Sequence, residues 1–475
     1  MPLLLAGLLI MTSLTSFAAS NDLPSLGDST SGLISTDQEY VLGRAWLRNL
    51  RSQASTLHNA ELTEYTENLI YKLASHSQVK DRRFEIVLLD NKQLNAFAVP
   101  GGVIGINAGL FLHAKNEAQF AAVLAHELAH LSQRHFARQI DESRKQTPIA
   151  LATLLGSIML LATNNTEAGF AGLMTSQAAA AQWSLSYSRD WEREADRLGM
   201  HTLVSAEIDP HGMPDMFRQM FDAHKYSERP PEFLLTHPVT ENRISDAAAR
   251  VDSMNIDPKP EDIDFQLMRN YLLIQYKQDS HNLSYYQSQL KKHNTKQQEQ
   301  IIRYALAVIY SEQKKYQAAY QETQKLLELD KNRLTYQILN DRVLFHLGEH
   351  ELALKRVKQQ LKLNPNNHPL TMTYVNMLME LNRFHEAADV LQGHALIRQS
   401  DPYIWQQLAE AHGKAGSTLA LYQARAEFLF LTGQNAKALQ QLKSALALAK
   451  GNFLLSARIE QRAREIEGSE KDLEF

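Results

Sequence analysis

The chain has 475 residues, 44% of them hydrophobic and 21% charged. That is the composition of folded globular domains, which excludes collagen, low-complexity fibre and disorder, and the length leaves room for about three domains. Lys and Arg total 49 against 53 Asp and Glu, a formal charge of −4, so there is no overall basic field for gripping a nucleic acid. Cysteine is absent, which removes disulfides, thiolate nucleophiles and Cys-ligated metal centres. A metal in this chain has to be held by His, Asp or Glu.

Leu3–Ile10 is a short apolar run followed by small-residue cleavage sites around Ser16–Ser20, the pattern of a secretory leader over residues 1–20, although no Lys or Arg precedes Arg44. The run falls short of the roughly 18 apolar residues wanted for a membrane span. Asn21–Asp37, rich in Ser, Gly, Asp and Pro, reads as an extended arm. Asn95–Leu110 mixes β-formers with a Pro-Gly-Gly turn, which predicts a strand or hairpin. Its exposed edge could hold a substrate as an added strand.

Asn116 with Gln119 three residues on opens a helix predicted to run to about Ile140, with Phe120, Val123, Leu124, Leu128 and Leu131 at helical spacing. Within it lies His126-Glu127-Leu128-Ala129-His130. Residues four apart stand one turn above another, so both imidazoles project toward one point, half of a tetrahedral zinc site. Glu127 neighbours that face and is the candidate general base for a water whose pKa the metal has lowered. His135 falls off that face on a continuous helix and is left out of the site.

Ile149–Ala162 is apolar and precedes the Ala/Gly-rich stretch Ala168–Ala181. A core helix, a lid and a segment touching a membrane surface are its three readings. Trp191–Arg197 (WEREADR) then offers the third ligand. Glu192 can reach the metal, Asp196 one turn on can accept the free ring N–H of a ligating His, and Glu194 is the second choice as ligand. Thr236-His237-Pro238 follows, with Arg243 beyond. Val251–Phe265 (VDSMNIDPKPEDIDF) reads as a linker.

From about Phe265 the pattern is almost continuously helical, with self-similarity near the 34-residue tetratricopeptide period. Tyr316–Ala319, Gly348 with Ala353, Phe384 with Ala387, and Gly433 with Ala438 supply its turn and small residue in the second helix. Asp330-Lys331-Asn332 and Asn364-Pro365-Asn366 mark turns between repeats, and Trp405, Leu408 and Ala409 match a first helix. The expected fold is mainly α: a domain carrying the zinc motif with a small β-hairpin or sheet (21–250), a linker (251–264), an α-solenoid of repeats (265–460) and a C-terminal tail (461–475). Solenoid grooves bind peptides and proteins.

The segments Asn95–Gly102, His126–His130, Glu192–Asp196 and Thr236–Pro238, in that order, resemble the zinc-dependent gluzincin peptidases of the family that includes the integral-membrane prenyl-protein (CAAX) proteases and the bacterial membrane heat-shock protease. The resemblance implies one zinc ion held by His126, His130 and Glu192, with Glu127 as catalytic base. With a leader ahead and repeats behind, it also implies a periplasmic enzyme. Its partners would be the outer-membrane β-barrel assembly machinery and its unfolded or stalled substrates, with peripheral membrane contact and no nucleic acid. His237 has two readings: an inhibitory fourth ligand in the water's place, or a donor to the oxyanion of the tetrahedral intermediate. Arg243 supports either arrangement or is a surface residue. The competing function is a chaperone or adaptor with a structural or latent zinc site, acting through its repeat groove.

Overall fold

In the computed structural model, residues 35–144, 188–225, 231–260, 262–276 and 281–471 are described. The leader, the arm up to residue 34 and the stretches Ile149–Ala162 and Ala168–Ala181 lie outside them. Among the described residues, no helix is long and apolar enough to cross a membrane.

The first half builds two helical layers around a small sheet. Helix α1 (Thr36–Gln53) opens on Ser35, whose hydroxyl accepts from Gln38 N while the Gln38 side chain returns to the Ser35 N–H. The helix thus takes Thr36 and Asp37 from the predicted arm. Helix α2 (Ala60–Ser75) is capped by Asn59. Three strands follow, β1 (Glu85–Leu89), β2 (Ala96–Val99) and β3 (Val103–Asn107), in the order β1-β3-β2. β2 and β3 form the expected hairpin, pairing Ala98 with Ile104, and β1 joins β3 in parallel. β1 was not anticipated, although Glu-Ile-Val-Leu-Leu before Asp90 is a short apolar β-branched run of the kind buried strands use. Gly101 and Gly102 make the hairpin turn at φ 76° and 75°, and a Cβ on Gly101 would lie 2.5 Å from Glu39 O of α1. One sheet face packs on α1 through Trp46, Leu47 and Leu50.

The other face packs on α2 and on α4 (Glu117–Ser132), which follows the short α3 (Ala108–His113). Asn116 caps α4 by accepting from Gln119 N, and the Gln119 side chain in turn accepts from Lys115 N. The helix ends at Ser132 instead of reaching Ile140. Arg134 takes a left-handed φ of 50°, which breaks the run and restarts it as α5 (His135–Arg144). Helices α6 (Arg189–Ser205) and α7 (Gly212–Lys225) pack on α4. Gly199 permits the α6 approach, since a Cβ there would stand 3.2 Å from the His126 N. A short turn α8 (Phe233–Thr236) and α9 (Glu241–Met254) complete this half.

The linker is shorter than predicted. Val251–Met254 belong to α9, and α10 (Ile263–Gln275) already includes Phe265, which is fully buried in the same core as Leu62 and Phe120. One continuous core therefore joins the protease half to the first repeat helices. After α11 (Leu283–Leu290) come α12 (Lys296–Glu312), α13 (Tyr316–Leu329), α14 (Leu334–His346), α15 (His350–Leu363), α16 (His368–Glu380), α17 (Phe384–Ile397), α18 (Pro402–Lys414), α19 (Thr418–Leu431), α20 (Asn435–Leu448) and α21 (Phe453–Lys471). The predicted tail from 461 is helical as far as Lys471.

The repeat period is visible in the backbone. Lys314, Gly348, Asn382 and Gly416, each one 34-residue period after the last, all have positive φ. The residue after each closes the first helix of its pair with the same bond, as in Lys315 N to Tyr310 O and Ser417 N to His412 O. Ala319, Ala353 and Ala387 sit fully buried at the matching place in the second helices. Ala438 is equally buried but lies in α20, a first helix by that period, and Gly433 at φ 73° stands half a period after Gly416. The close-packing position has therefore shifted to the other helix class, which corrects its assignment to a second helix.

Helix α2 is the face on which the repeats seat. Glu61 pairs with Arg342 at 2.7 Å, Glu64 accepts from the His368 N–H at 2.9 Å, and Glu67 pairs with Arg398 at 2.5 Å. Three acids spaced one turn apart thus meet three successive repeat segments.

Candidate metal and catalytic site

On α4, His126 and His130 bring their Nε2 atoms to 3.0 Å. Glu192, on α6, places Oε1 3.3 Å from His130 Nε2 and Oε2 3.5 Å from His126 Nε2. His237 caps the C-terminus of α8, stacks on Phe233, and sets Nδ1 2.9 Å from Glu192 Oε1 and 3.3 Å from His126 Nε2. All four side chains are buried, and their donor atoms lie within 4.8 Å of one another. Four donors about 2.0–2.1 Å from a common tetrahedral centre stand roughly 3.3 Å apart, and the residue pairs measured above lie at 2.9–3.5 Å. The donor set of nitrogen and carboxylate oxygen is the one zinc favours, so these residues fit a zinc ion. Glu127 turns to the same space, with Oε1 3.5 Å from His237 Nε2.

A ring of outer contacts orients these groups. Asp196 Oδ1 lies 3.0 Å from His126 Nδ1, the position an acceptor takes when the other ring nitrogen faces a metal. Arg243 was expected at the surface as one reading. It is 6% exposed, forks onto Asp196 through Nε and Nη2 at 2.8 and 2.7 Å, reaches Glu192 Oε2 with Nη1 at 2.7 Å and donates to the Pro238 carbonyl. Arg243 thereby ties the acidic residues of α6 to the segment that carries His237.

His135 was left out of the site, and the structure brings it back. The break at Arg134 swings it under α4, fully buried, with Nδ1 2.9 Å from His130 Nδ1 and Nε2 3.2 Å from Glu194 Oε2. Burial pushes its pKa down to about 4, so it is neutral near pH 7. The network then assigns the protons. Glu194 accepts from His135 Nε2–H, the bare His135 Nδ1 accepts from His130 Nδ1–H, and His130 Nε2 keeps its lone pair for the cluster. Glu194, the second-choice ligand, is engaged with His135 and Arg138 and stands outside the cluster. Only a helix break between His130 and His135 would have signalled this from the sequence, and Gln133-Arg134 contains neither Gly nor Pro.

The electrostatics suit a cation. Burial works against charge on His126, yet the Glu192 and Asp196 carboxylates overcome it and raise its pKa to about 9. Burial likewise opposes ionisation of Glu192, and His237, Arg243 and His126 together hold it well below the usual carboxylate range. Burial raises Glu127, which the backbone of Ala98 on β2 partly offsets by hydrogen bonding. The outer edge of β2 therefore lies directly against this carboxyl, and β2 is buried along its length, which corrects the expectation of an exposed edge there.

Comparison with known proteins agrees with this geometry. The profile of Peptidase family M48 matches residues 58–251, and that of the tetratricopeptide repeat matches 344–411. The beta-barrel assembly-enhancing protease of Escherichia coli K12 is 32% identical over 463 residues, 97% of this chain and 94% of that protein. The chain belongs to peptidase family M48. A Vibrio cholerae protein described as a putative beta-barrel assembly-enhancing protease is also 32% identical, over 94% of this chain and 92% of its own length. The mitochondrial metalloendopeptidase OMA1 of Schizosaccharomyces pombe is 28% identical over 38% of this chain and 51% of its own length. As a family M48 member the chain is a metalloendopeptidase, here joined to tetratricopeptide repeats.

Proposed function

We propose that this family M48 enzyme is an exported, periplasmic zinc endopeptidase that removes misfolded or stalled outer-membrane proteins and supports β-barrel assembly. The observation that carries the chemistry is the buried cluster of His126, His130 and Glu192 with Glu127 beside it. His126, His130 and Glu192 would hold one zinc ion, which would supply Lewis acidity for activating a water and polarising the scissile carbonyl. Glu127, raised by burial, takes the proton from the attacking water and delivers it to the departing amide nitrogen. Asp196 and His135 fix the ring orientation of His126 and His130, and Arg243 keeps Glu192 and Asp196 ionised. The names of the relatives support the link to barrel assembly, and the repeats supply a surface for protein partners.

A second reading, a chaperone or adaptor with a latent site, is favoured by the position of His237. Its Nδ1 makes a fourth donor, and four protein ligands describe a closed site. The two readings meet if His237 is a removable restraint. The test is degradation of an unfolded outer-membrane barrel protein by the zinc-loaded enzyme. Under the protease reading Glu127→Gln abolishes cleavage while metal analysis still finds about one zinc per chain, and His237→Ala cleaves faster. No cleavage by parent or His237→Ala, with zinc bound, would leave the adaptor reading standing.

A further inference from the structure

The small sheet has two edges, and only β2 faces the metal cluster. The other edge, β1, opens onto a cavity of about 570 Å³ between the protease half and the repeats. Five consecutive residues, Phe84 to Leu88, line it. Successive strand residues point to opposite faces, and Val87 packs with the α1 side whereas Leu88 packs with the α2 side. A cavity touched by all five is therefore bounded by the strand's edge.

The ladder shows which groups that edge presents. Glu85 N donates to Gly102 O, and by the parallel register Glu85 and Val87 turn their peptide groups toward β3. Those of Ile86 and Leu88 point outward. Leu88 O accepts from Leu57 N, and Asp90 N donates to Ser55 O, so residues 55–57 cover the C-terminal half of the edge. The chain then leaves to begin α2 at Ala60. Among the described residues, the Ile86 N–H and C=O and the Leu88 N–H meet no hydrogen-bond partner. Native edges are usually blunted by Lys, Pro or a covering element. Here the run Phe84-Glu85-Ile86-Val87-Leu88 carries one charge, and Glu85 spends it on Arg44 and Arg51.

We infer that the outer edge of β1 is a docking site for an extended polypeptide segment, which adds as a strand between the sheet and repeat helix α16. The charge of the cavity suits a polypeptide better than a polyanion. Arg51 is paired with Glu85, Arg398 with Glu67 and Arg342 with Glu61, so no basic excess is left for phosphate. The wall opposite the edge offers Met372, Thr373 and Asn376 of α16 together with the Tyr403 ring stacked on His58. Such a mixed surface accepts side chains of varied polarity, while the peptide groups of β1 supply the affinity. A strand of about five residues, roughly 17 Å, spans the edge.

The test uses the full chain carrying Glu127→Gln, so that bound peptide is not consumed. The probe is a fluorescein-labelled decapeptide of alternating threonine and valine, with a second version N-methylated at alternate residues. The expected result is anisotropy-detected binding of the first peptide that weakens tenfold or more for the N-methylated one. Amide exchange measured by mass spectrometry should slow over residues 84–88. Ile86→Pro removes the outward N–H and leaves the ladder to β3 intact, although it also gives up the half-buried Ile86 side chain, and it should lower affinity at least tenfold. Asn376→Trp fills the groove from an exposed position on α16 and should do the same without burdening the fold. Equal binding of both peptides, or protection confined to residues 96–99 at the other edge, would overturn the assignment.

Discussion

Arg243→Leu is the perturbation that most directly probes the charge network. The parent guanidinium makes two contacts to Asp196, one to Glu192 and one to the Pro238 carbonyl, all within 2.8 Å and all buried. Leucine fills part of the volume and leaves two buried carboxylates with protonated His126 beside both of them but no guanidinium. Breaking a buried pair by removing one partner costs about 3–5 kcal/mol, because the other charge stays desolvated. In metal-free protein the loss should be of that size. With zinc present it should be smaller, since the ion takes over the compensation of Glu192 and leaves only Asp196 exposed to the penalty. For a urea m-value near 3 kcal/mol/M, the metal-free midpoint should fall by about 1–2 M, and zinc should recover part of that difference. Arg243→Lys keeps a charge but not the fork, so it should fall between the two. The assay is equilibrium urea unfolding followed by circular dichroism, in chelator and in zinc. Equal midpoints for parent and Arg243→Leu in chelator would refute the network as the organiser of this site. An equal loss with and without zinc would refute the placement of the ion beside Glu192.

Further outcomes follow from the other buried ionisable groups. With its pKa raised to about 9, metal-free His126 is protonated near pH 7, so zinc must displace that proton. Titration calorimetry in buffers of differing ionisation enthalpy should find about one proton released per ion at pH 7, and affinity should rise with pH up to about 9. The same shift stabilises the metal-free fold below pH 6.5, and that contribution should fade as pH climbs through 9. His135→Phe preserves the stacking on Trp191 but removes the acceptor for His130 Nδ1–H, which should weaken zinc binding by about 10–100-fold, read by chelator competition. Glu232, 5% exposed and near Asn95, has its pKa raised to about 7 by burial. The folded state thus holds its proton where the unfolded chain has lost it, and stability should decline as pH rises from about 4.5 to 7. Glu232→Gln should therefore gain at most about 3 kcal/mol at pH 8 and nothing at pH 4, measured by urea unfolding.

The sequence was most legible where one helix carries the information. Residues four apart on a capped apolar helix must share a face, so His126 and His130 could be paired without a structure, and α4 sets their Nε2 atoms 3.0 Å apart. Glu192 and Asp196 were readable for the same reason once a carboxylate was sought at helical spacing. What the sequence hid depends on backbone events that side-chain identity does not encode. The left-handed Arg134 returns His135 to His130, and no Gly or Pro announces it. The burial of Arg243 depends on α9 packing near α6 and α7, a tertiary fact that an isolated arginine cannot reveal. Composition blurred the linker as well. Asp262 looked like loop because it is acidic, yet it is the N-cap of α10, accepting from Asp264 N, and acids are favoured at both places.

A strand-acceptor edge beside the repeats bears on how the proposed protease would select its substrates. A guest on the outer edge of β1 and a segment lying beyond β2, beside the metal cluster, would be separated by four strand spacings of about 4.8 Å, roughly 19 Å. A fully extended chain covers about 3.3–3.6 Å per residue, so about six residues is the least that bridges this gap, and a flexible linker of about a dozen has a typical span equal to it. More are needed to pass around α1 or α2, which cover the sheet faces. Once a segment is held at β1, a second segment beyond that distance sits near the metal cluster at an effective concentration of order millimolar. Weak backbone pairing at β1 then becomes effective capture for a chain that offers one unpaired strand and a second unfolded segment behind it. A folded barrel has its strands paired with one another and offers neither. Discrimination of stalled from finished barrels would in this arrangement come from the availability of backbone hydrogen bonds, with no requirement for a sequence signal. Substrates with one strand-forming segment, or with the second closer than about six residues, should accordingly be cleaved at the slow rate of unassisted encounter with the cluster.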